Sequence, residues 1–335
     1  MLKQLWKNEY FQMAIMIILM VGIVFGFWYG SQLVLNTQYP ALAVVSGSML
    51  PTLNVGDVII VQGVPVTQIK ANYTTGDIVV FISPSDPNQR IVHRAVKIEN
   101  TTSGYMITTL GDRYMGEEED QFSPWPASLL VGKVIARIPY IGNFPLFVNA
   151  LGNFYYFVIV IIIVINILLS LLFDSDEEKK SSKEEPREKR KLFGKLDIET
   201  IFFLLLDVLL VGFLIFNLFG VFTFWNPGAE TSSHEVTVRG VYSDLQYQAN
   251  YRYVSEAFLS QGFFTYQIDC LVNGAVRPSV PTFSWVQFSI LLLVFLNLWM
   301  ANKYLQFVKR LKQALKPNFI SKGEGRHSEN KTPIS

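Results

Sequence analysis

Residues 44–61 read VVSGSMLPTLNVGDVIIV and place a serine-containing turn between two apolar runs. Ser46 and Ser48 flank a glycine, and a methionine and a proline follow within three residues. Because Gly, Pro and Ser favour turns, a plain turn is the simplest interpretation of this stretch. The run DVIIV that follows is rich in β-branched residues, which favours a strand. The stretch therefore predicts a β structure that begins with a serine turn.

The overall composition indicates a membrane protein. Of the 335 residues, 50% are hydrophobic and 16% are charged, and the net charge is +1. Such a composition is typical of membrane proteins, and the lack of a basic excess argues against a nucleic-acid partner. The single cysteine, Cys270, excludes an intrachain disulfide and a cysteine-based metal site. Three histidines alone do not predict a metal centre, so we expect neither a metal nor a cofactor.

Four apolar segments are long enough to cross a bilayer, which takes about 20 residues of helix. They are residues 10–35, 154–173, 201–225 and 283–302. The first exceeds the usual signal-peptide core of roughly 7–15 residues and lacks a clear small-residue cleavage site. We therefore predict that it stays in the chain as an anchor, giving a multi-pass integral membrane protein.

Lysine and arginine predict the orientation of these segments, because loops rich in them stay in the cytoplasm. Basic residues are frequent in 1–9, 174–200 and 303–335, which we predict to be cytoplasmic. They are sparse in 36–153 and 226–282, which should then be extracytoplasmic. The charged stretch 174–200 has the composition of a solvated tether. Such a protein would lie in the cell membrane, or in the endoplasmic-reticulum membrane of a eukaryote.

The first extracytoplasmic segment, 36–153, has the pattern of a mostly-β domain. Short runs with β-branched residues alternate with turn residues; these are DVIIVQG, GDIVVFIS, RIVHRAVKIEN, GYMITTLGD and LVGKVIARIPYIG. They predict a compact barrel or sandwich, with a hairpin that joins residues 76–83 to 90–98. The second segment, 226–282, is too small to bury much core alone. It could pack on the first, bind a partner or contact a substrate.

A serine acts as a nucleophile when a base takes its proton, and a third group usually orients that base. The β domain supplies Ser48 in the turn, His93 within a strand and Asp112 after another strand. A tight turn also leaves backbone N–H groups free to stabilise an oxyanion. Because any domain of this size contains some Ser, His and Asp, the residues alone leave this chemistry open.

Other assignments compete with this one. His93 shares its strand face with apolar residues, and a lone histidine in such a place is more often structural. Lys70 and Lys97 are rival bases for a serine–lysine pair, and His234 is a rival imidazole in the second segment. Asp207 lies inside the third apolar segment, where an ionisable side chain is costly. It could reach toward the cytoplasmic end, about two helical turns away, or serve helix–helix assembly.

The chain resembles type I signal peptidases in an ordered series of motifs. These are SGSMLPT, VGDVIIV, GDIVVF, IVHRAV, LGD and GKVIARIPYIG, which together cover roughly residues 43–142. The histidine of IVHRAV resembles the archaeal and endoplasmic-reticulum branch, since the bacterial branch has a lysine there. The resemblance implies a membrane-anchored, mostly-β catalytic domain of signal-peptidase-like fold, which the four predicted transmembrane α-helices would accompany.

The resemblance also implies roles for individual residues. Ser48 would be the nucleophile and its N–H part of the oxyanion hole, while His93 would be the general base. Asp112 would orient His93 or hold the surrounding network. A second acidic residue is expected after the Gly-Asp motif; Asp120 is the preferred match and Glu118 the alternative. The family usually reads Lys-Gly-Asp-Asn where this chain reads LGDR.

The implied function is that of a membrane serine endopeptidase, which removes N-terminal signal peptides through an acyl-enzyme without metal or cofactor. Signal peptides of preproteins would bind in extended form, as an added strand. The lipid bilayer and membrane subunits such as a translocon are the other implied partners. Two alternatives are a processing peptidase for a narrower set of surface proteins and a non-catalytic scaffold that retains the fold.

Overall fold

The computed structural model describes residues 9–116, 120–150, 164, 191–193, 196–226 and 234–314. The helices are α1 (Glu9–Leu35), α2 (Asn143–Ala150), α3 (Ile198–Phe219), α4 (Val241–Ala249) and α5 (Trp285–Ala314). The strands are β1 (Ala41–Ala43), β2 (Val58–Gln62), β3 (Ile78–Ile82), β4 (Arg90–Thr101), β5 (Gly104–Leu110), β6 (Trp125–Pro126), β7 (Leu130–Ile138), β8 (Lys191–Phe193), β9 (Leu196–Asp197), β10 (Val221–Trp225), β11 (Glu235–Arg239), β12 (Val254–Gln261), β13 (Thr265–Val272), β14 (Ala275–Arg277) and β15 (Thr282–Phe283).

In the described ranges, eleven strands form one sheet, and this confirms the prediction of a mostly-β domain. The hydrogen-bonded order is β12-β13-β15-β7-β3-β4-β5-β6, while β1 and β7 both pair with β2 and β14 pairs with β13. The predicted hairpin is confirmed, because β3 and β4 pair antiparallel from Ile82–Arg90 to Ile78–Arg94. It forms because two apolar runs flank a loop rich in Pro, Asp and Asn.

Strand β3 is the centre of the core because both of its faces are buried. Ile78 and Val80 pack into one apolar cluster, while Val79 and Phe81 pack into a second. The Phe81 ring stacks on Trp125 with 4.1 Å between centroids. A continuous apolar run of five residues is what a strand covered on both sides requires.

The second predicted segment, 226–282, extends the same sheet. Its strand β15 pairs parallel with β7, where Thr282 lies opposite Arg137, and the Arg137 N–H donates to the Pro281 carbonyl at 2.9 Å. Of the three roles left open for this segment, packing on the first segment is therefore observed. The reason is that so short a stretch cannot bury a core by itself; its buried Tyr266 and Ile268 pack with α4.

Three described helices are long and apolar enough to cross a membrane: Ile15–Leu35, Phe202–Phe219 and Trp285–Gln306. They correspond to the first, third and fourth predicted spans. The second predicted span, 154–173, lies outside the described residues apart from residue 164. Three candidate helices are therefore observed where four were predicted.

Two predicted boundaries need correction. The third span was expected over 201–225, but α3 ends at Phe219 and β10 pairs with β11 from Val221 onward. Hydropathy could not mark this end because the apolar run continues, whereas the aromatic and β-branched run after Gly220 favours a strand. The charged tether was expected to reach residue 200, yet α3 begins at Ile198 and β8 pairs with β9 before it.

Candidate active site

The serine turn is anchored by its apolar neighbours. Within the turn, the Leu50 N–H donates to Gly47 O at 3.2 Å and the Leu53 N–H to Met49 O at 3.0 Å. Met49 and Leu53 are fully buried in the core cluster under β3. Ser48, directly before Met49, stays half-buried. Its hydroxyl is therefore fixed in place while remaining open to a substrate.

His93 lies buried on β4 and is paired with a carboxylate. Its Nδ1 is 2.5 Å from Asp120 Oδ2, and its ring stacks on Phe122. Because β4 side chains alternate between the sheet faces, His93 and its neighbour Arg94 point to opposite sides. A carboxylate at Nδ1 fixes the orientation of the ring and leaves Nε2 as the nitrogen that does not contact Asp120.

Gly111 marks where the turn and the imidazole meet. A Cβ built on Gly111 would lie 2.7 Å from Ser48 O and 3.1 Å from His93 Nε2. Those two atoms are therefore no farther apart than the sum of the two distances. The Arg113 N–H donates to the same Ser48 carbonyl at 3.0 Å, and the Ser46 and Ser48 hydroxyl oxygens lie 3.3 Å apart.

Asp120 is itself held by β5. The Thr109 hydroxyl donates to Asp120 Oδ2 at 2.8 Å, and the Asp120 N–H donates to the Thr109 carbonyl at 3.3 Å. The indole N–H of Trp125 donates to Thr109 Oγ1 at 3.2 Å. Asp120 thus occupies the position of a group that orients His93. The alternative acid, Glu118, lies outside the described residues.

Asp112 belongs to a separate buried network. Its described hydrogen bonds go to the Thr52 hydroxyl, to Arg94 at 2.9 Å and to Arg277 at 2.6 Å. Burial alone would raise the pKa of Asp112, but the two guanidinium groups outweigh burial and lower the pKa to about 2. Of its two expected roles, the geometry supports holding the network, because the contact with His93 comes from Asp120.

Arg137 of β7 forms a second buried network on the other side of Thr52. Its Nη1 donates to the Thr52 carbonyl at 3.0 Å, and its Nη2 contacts Asp244 at 3.1 Å. Asp57 lies 3.4 Å from Nη1. Burial raises the pKa of Asp57 to about 6, although Arg137 opposes that rise.

The rival bases have their described contacts elsewhere. Lys97 forms an exposed ion pair with Glu99 at 2.7 Å, and Lys70 is exposed in the loop before β3. The carbonyl of His234, just before β11, accepts from the Asn226 N–H at 2.7 Å. Among the described residues, no group of three His, Cys, Asp or Glu could hold a metal ion.

Sequence reasoning missed Thr52, Thr109, Arg94, Arg137 and Arg277. Arg94 could have been found, because the residue after a strand histidine must face the opposite side of the sheet. Arg277 could not, because it meets Asp112 across 165 positions of sequence. Nothing local in a sequence indicates such a pairing.

A half-buried serine beside a carboxylate-paired imidazole is typical of serine hydrolases that use a histidine base. Comparison with known proteins defines the class more narrowly. The family model for signal peptidases, peptidase S26, matches residues 8–99, which include Ser48 and His93. The chain is 30% identical over 128 residues to the signal peptidase complex catalytic subunit SEC11 of Colletotrichum graminicola, covering 37% of this chain and 72% of that relative.

Two further relatives carry the same description. The SEC11 subunit of Lachancea thermotolerans is 27% identical over 132 residues, or 37% of this chain and 75% of the relative. The human SEC11C subunit is 25% identical over 153 residues, or 44% of this chain and 77% of the relative. The chain therefore belongs to the signal peptidase family, peptidase S26, as a hydrolase of the signal peptidase I type that cleaves signal peptides.

Proposed function

We propose that this chain is a membrane serine endopeptidase in which Ser48 is the nucleophile and His93 the general base. The observation that carries the proposal is the closeness of the serine turn to the imidazole: a Cβ built on Gly111 would lie 2.7 Å from Ser48 O and 3.1 Å from His93 Nε2. Asp120 also supports the proposal, because its carboxylate contacts Nδ1 on the other side of the imidazole and fixes the ring. The Ser48 N–H and the Ser46 hydroxyl would donate hydrogen bonds to the oxyanion.

These positions support the following proposal for the acylation step. His93 Nε2 takes the proton of the Ser48 hydroxyl as its oxygen attacks the scissile carbonyl carbon. The negative oxygen of the tetrahedral intermediate accepts hydrogen bonds from the Ser48 N–H and from the Ser46 hydroxyl, 3.3 Å from Ser48 Oγ. His93 then gives its proton to the leaving amine as the C–N bond breaks. The signal peptide remains as an ester on Ser48.

Deacylation reverses the proton path. His93 takes a proton from water, whose oxygen attacks the ester carbon, and returns that proton to Ser48 Oγ as the ester bond breaks. Asp120 stabilises the imidazolium that forms in both steps, because its carboxylate lies 2.5 Å from Nδ1. Asp112 acts farther away, since its bond to Thr52 holds the turn that carries Ser48.

The apolar helices support a location of this site at a bilayer. We propose that α1, α3 and α5 cross the membrane and that the sheet lies on the extracytoplasmic side. The Gly63 N–H donates to Leu35 O at 2.8 Å, so α1 ends directly against the sheet. A signal peptide that leaves the bilayer would meet the serine turn in extended form. Because several relatives are named catalytic subunits of a complex, we propose that other membrane subunits, such as a translocon, assist this chain.

The decisive experiment is cleavage of a panel of preproteins in membranes by the parent, Ser48→Ala and His93→Ala. Each variant should lose at least about a thousandfold in rate. Ser103→Ala, an exposed serine of the β4–β5 turn, is the matched control and should cleave normally. Normal cleavage by either site variant would overturn the assigned roles. An inactive parent would favour the scaffold, and cleavage of only a few substrates would favour a narrower processing peptidase.

A further inference from the structure

Thr52 is the point at which the serine turn is tied to the rest of the protein. It follows Ser48 by four positions and is buried, with 4% of its surface exposed. Its hydroxyl donates to Asp112 Oδ2, and its carbonyl accepts from Arg137 Nη1 at 3.0 Å. Both polar ends of this residue are therefore held by buried charged groups.

Each of those two charged groups is held in turn by the C-terminal segment of the sheet domain, residues 235–283. Asp112 contacts Arg94 from within the first segment, but also Arg277 of β14 at 2.6 Å. Arg137 contacts Asp244 of α4 at 3.1 Å. Two separate paths thus run from the serine turn, through Thr52, to α4 and β14.

A shift of the side chains in either network would displace Thr52 and, with it, the turn that carries Ser48. The five charged side chains are nearly inaccessible, with relative exposures of 5% or less. A buried carboxylate or guanidinium that loses one partner is costly, so its neighbours rearrange. A displacement of about 1 Å at the reacting atoms can cost on the order of a hundredfold in rate.

We propose that Arg277 and Asp244 are positioning residues and that residues 235–283 form an internal clamp that holds the serine turn against His93. Both residues lie beyond the part of the chain, 8–99, that matches the family model. The inference rests on the proposed function of Ser48 and His93. Under this proposal, the segment that adds β12–β15 to the sheet also affects kcat.

The first test compares Arg277→Gln, Arg277→Lys and the control Arg252→Gln in the full chain. Arg252 is an exposed arginine of the same segment. Arg277→Gln should lower kcat roughly tenfold to a hundredfold, with KM within about threefold of the parent. Arg277→Lys should recover part of this loss because it restores the positive charge. Arg252→Gln should match the parent.

The second test is a double-mutant cycle with Thr52→Val, which keeps the shape of the side chain but removes the hydroxyl. If Arg277 acts through Asp112 and Thr52, Arg277→Gln should cost clearly less in kcat when Thr52 is already Val. Fold-losses that simply multiply would overturn the proposal, as would an unchanged kcat in a folded Arg277→Gln variant. The melting temperature in detergent establishes folding.

Asp244→Asn tests the other path and keeps the proposal falsifiable if Arg277→Gln does not fold. It should lower kcat with little change in KM, whereas parental kcat in folded Asp244→Asn and Arg277→Lys variants would overturn the clamp. Ser48→Ala distinguishes a failure of the proposed function from a failure of the proposed clamp. If Ser48→Ala cleaves, the proposed function fails. If it is inactive while the clamp variants keep the parental kcat, only this inference fails.

Discussion

At the scale of residues, two aspartates that follow the same strand have different surroundings. Asp120 contacts His93 and Thr109, whereas Asp112 is enclosed by Arg94, Arg277 and Thr52. The Gly-Asp motif points to Asp112, yet the carboxylate that contacts His93 Nδ1 is that of Asp120. The sequence alone did not distinguish Asp120 from Glu118. The roles of both stay predictions until variants are measured.

Asp120→Asn should lower kcat by about a thousandfold or more with little change in KM. An amide at this place cannot stabilise the imidazolium and can favour the wrong tautomer of His93. The measurement is steady-state cleavage of a preprotein in detergent or membranes. Asp86→Asn, an exposed loop aspartate, is the control and should be indistinguishable from the parent. A kcat for Asp120→Asn within a few fold of the parent would show that His93 needs no partner at Nδ1.

At the scale of elements, local patterns predicted much of the sheet. The hairpin of β3 and β4 could be predicted because apolar runs and turn residues lie within a few positions of each other. Hydropathy could not predict the end of α3, since the chain stays apolar on both sides of Gly220; only the aromatic and β-branched residues after it favour a strand. The pairing of β15 with β7 could not be predicted either, because it joins Thr282 to Arg137 and follows from no short-range signal.

The pair α3–α5 offers a prediction about assembly, one of the two roles left open for Asp207. Asn297 Nδ2 donates to Asp207 Oδ1 at 3.1 Å between two candidate spans. Asn297→Leu should lower the melting temperature in detergent by an amount equivalent to about 1 kcal/mol. The reason is that it leaves Asp207 without this donor.

The matched comparison is the double variant Asp207→Leu/Asn297→Leu, in which both polar groups are replaced. It should recover most of the loss, since removing both partners costs less than removing one. If the two substitutions lower the melting temperature independently, the interhelical bond does not contribute to assembly.

At the scale of the whole molecule, one sheet contains strands from both predicted extracytoplasmic segments. β1–β7 and β12–β15 must therefore lie on the same side of any membrane. If α3 and α5 span the bilayer, Ala150 and Ile198 face opposite sides, which agrees with the predicted crossing at 154–173. The apolar segments and the distribution of Lys and Arg predict the same topology, which stays a prediction.

Cysteine labelling in sealed membranes tests the arrangement. The variants Tyr105→Cys and Ser255→Cys each place a cysteine at an exposed position, one in each segment. Both should react with an impermeant maleimide from the same side, while Ser321→Cys in the predicted cytoplasmic tail should react only after permeabilisation. The native Cys270 is buried, which keeps the background low. Labelling of Tyr105→Cys and Ser255→Cys from opposite sides would contradict the shared sheet.

The contact between Asp112 and Arg277 also has a consequence for biosynthesis. The ribosome makes Arg277 more than 200 residues after the serine turn. A nascent chain therefore carries the proposed nucleophile and base before Arg277 can contact Asp112. If the proposed clamp holds, full activity would arise only after the last strands join the sheet, and fragments that stop short of β14 should cleave more slowly than the full chain.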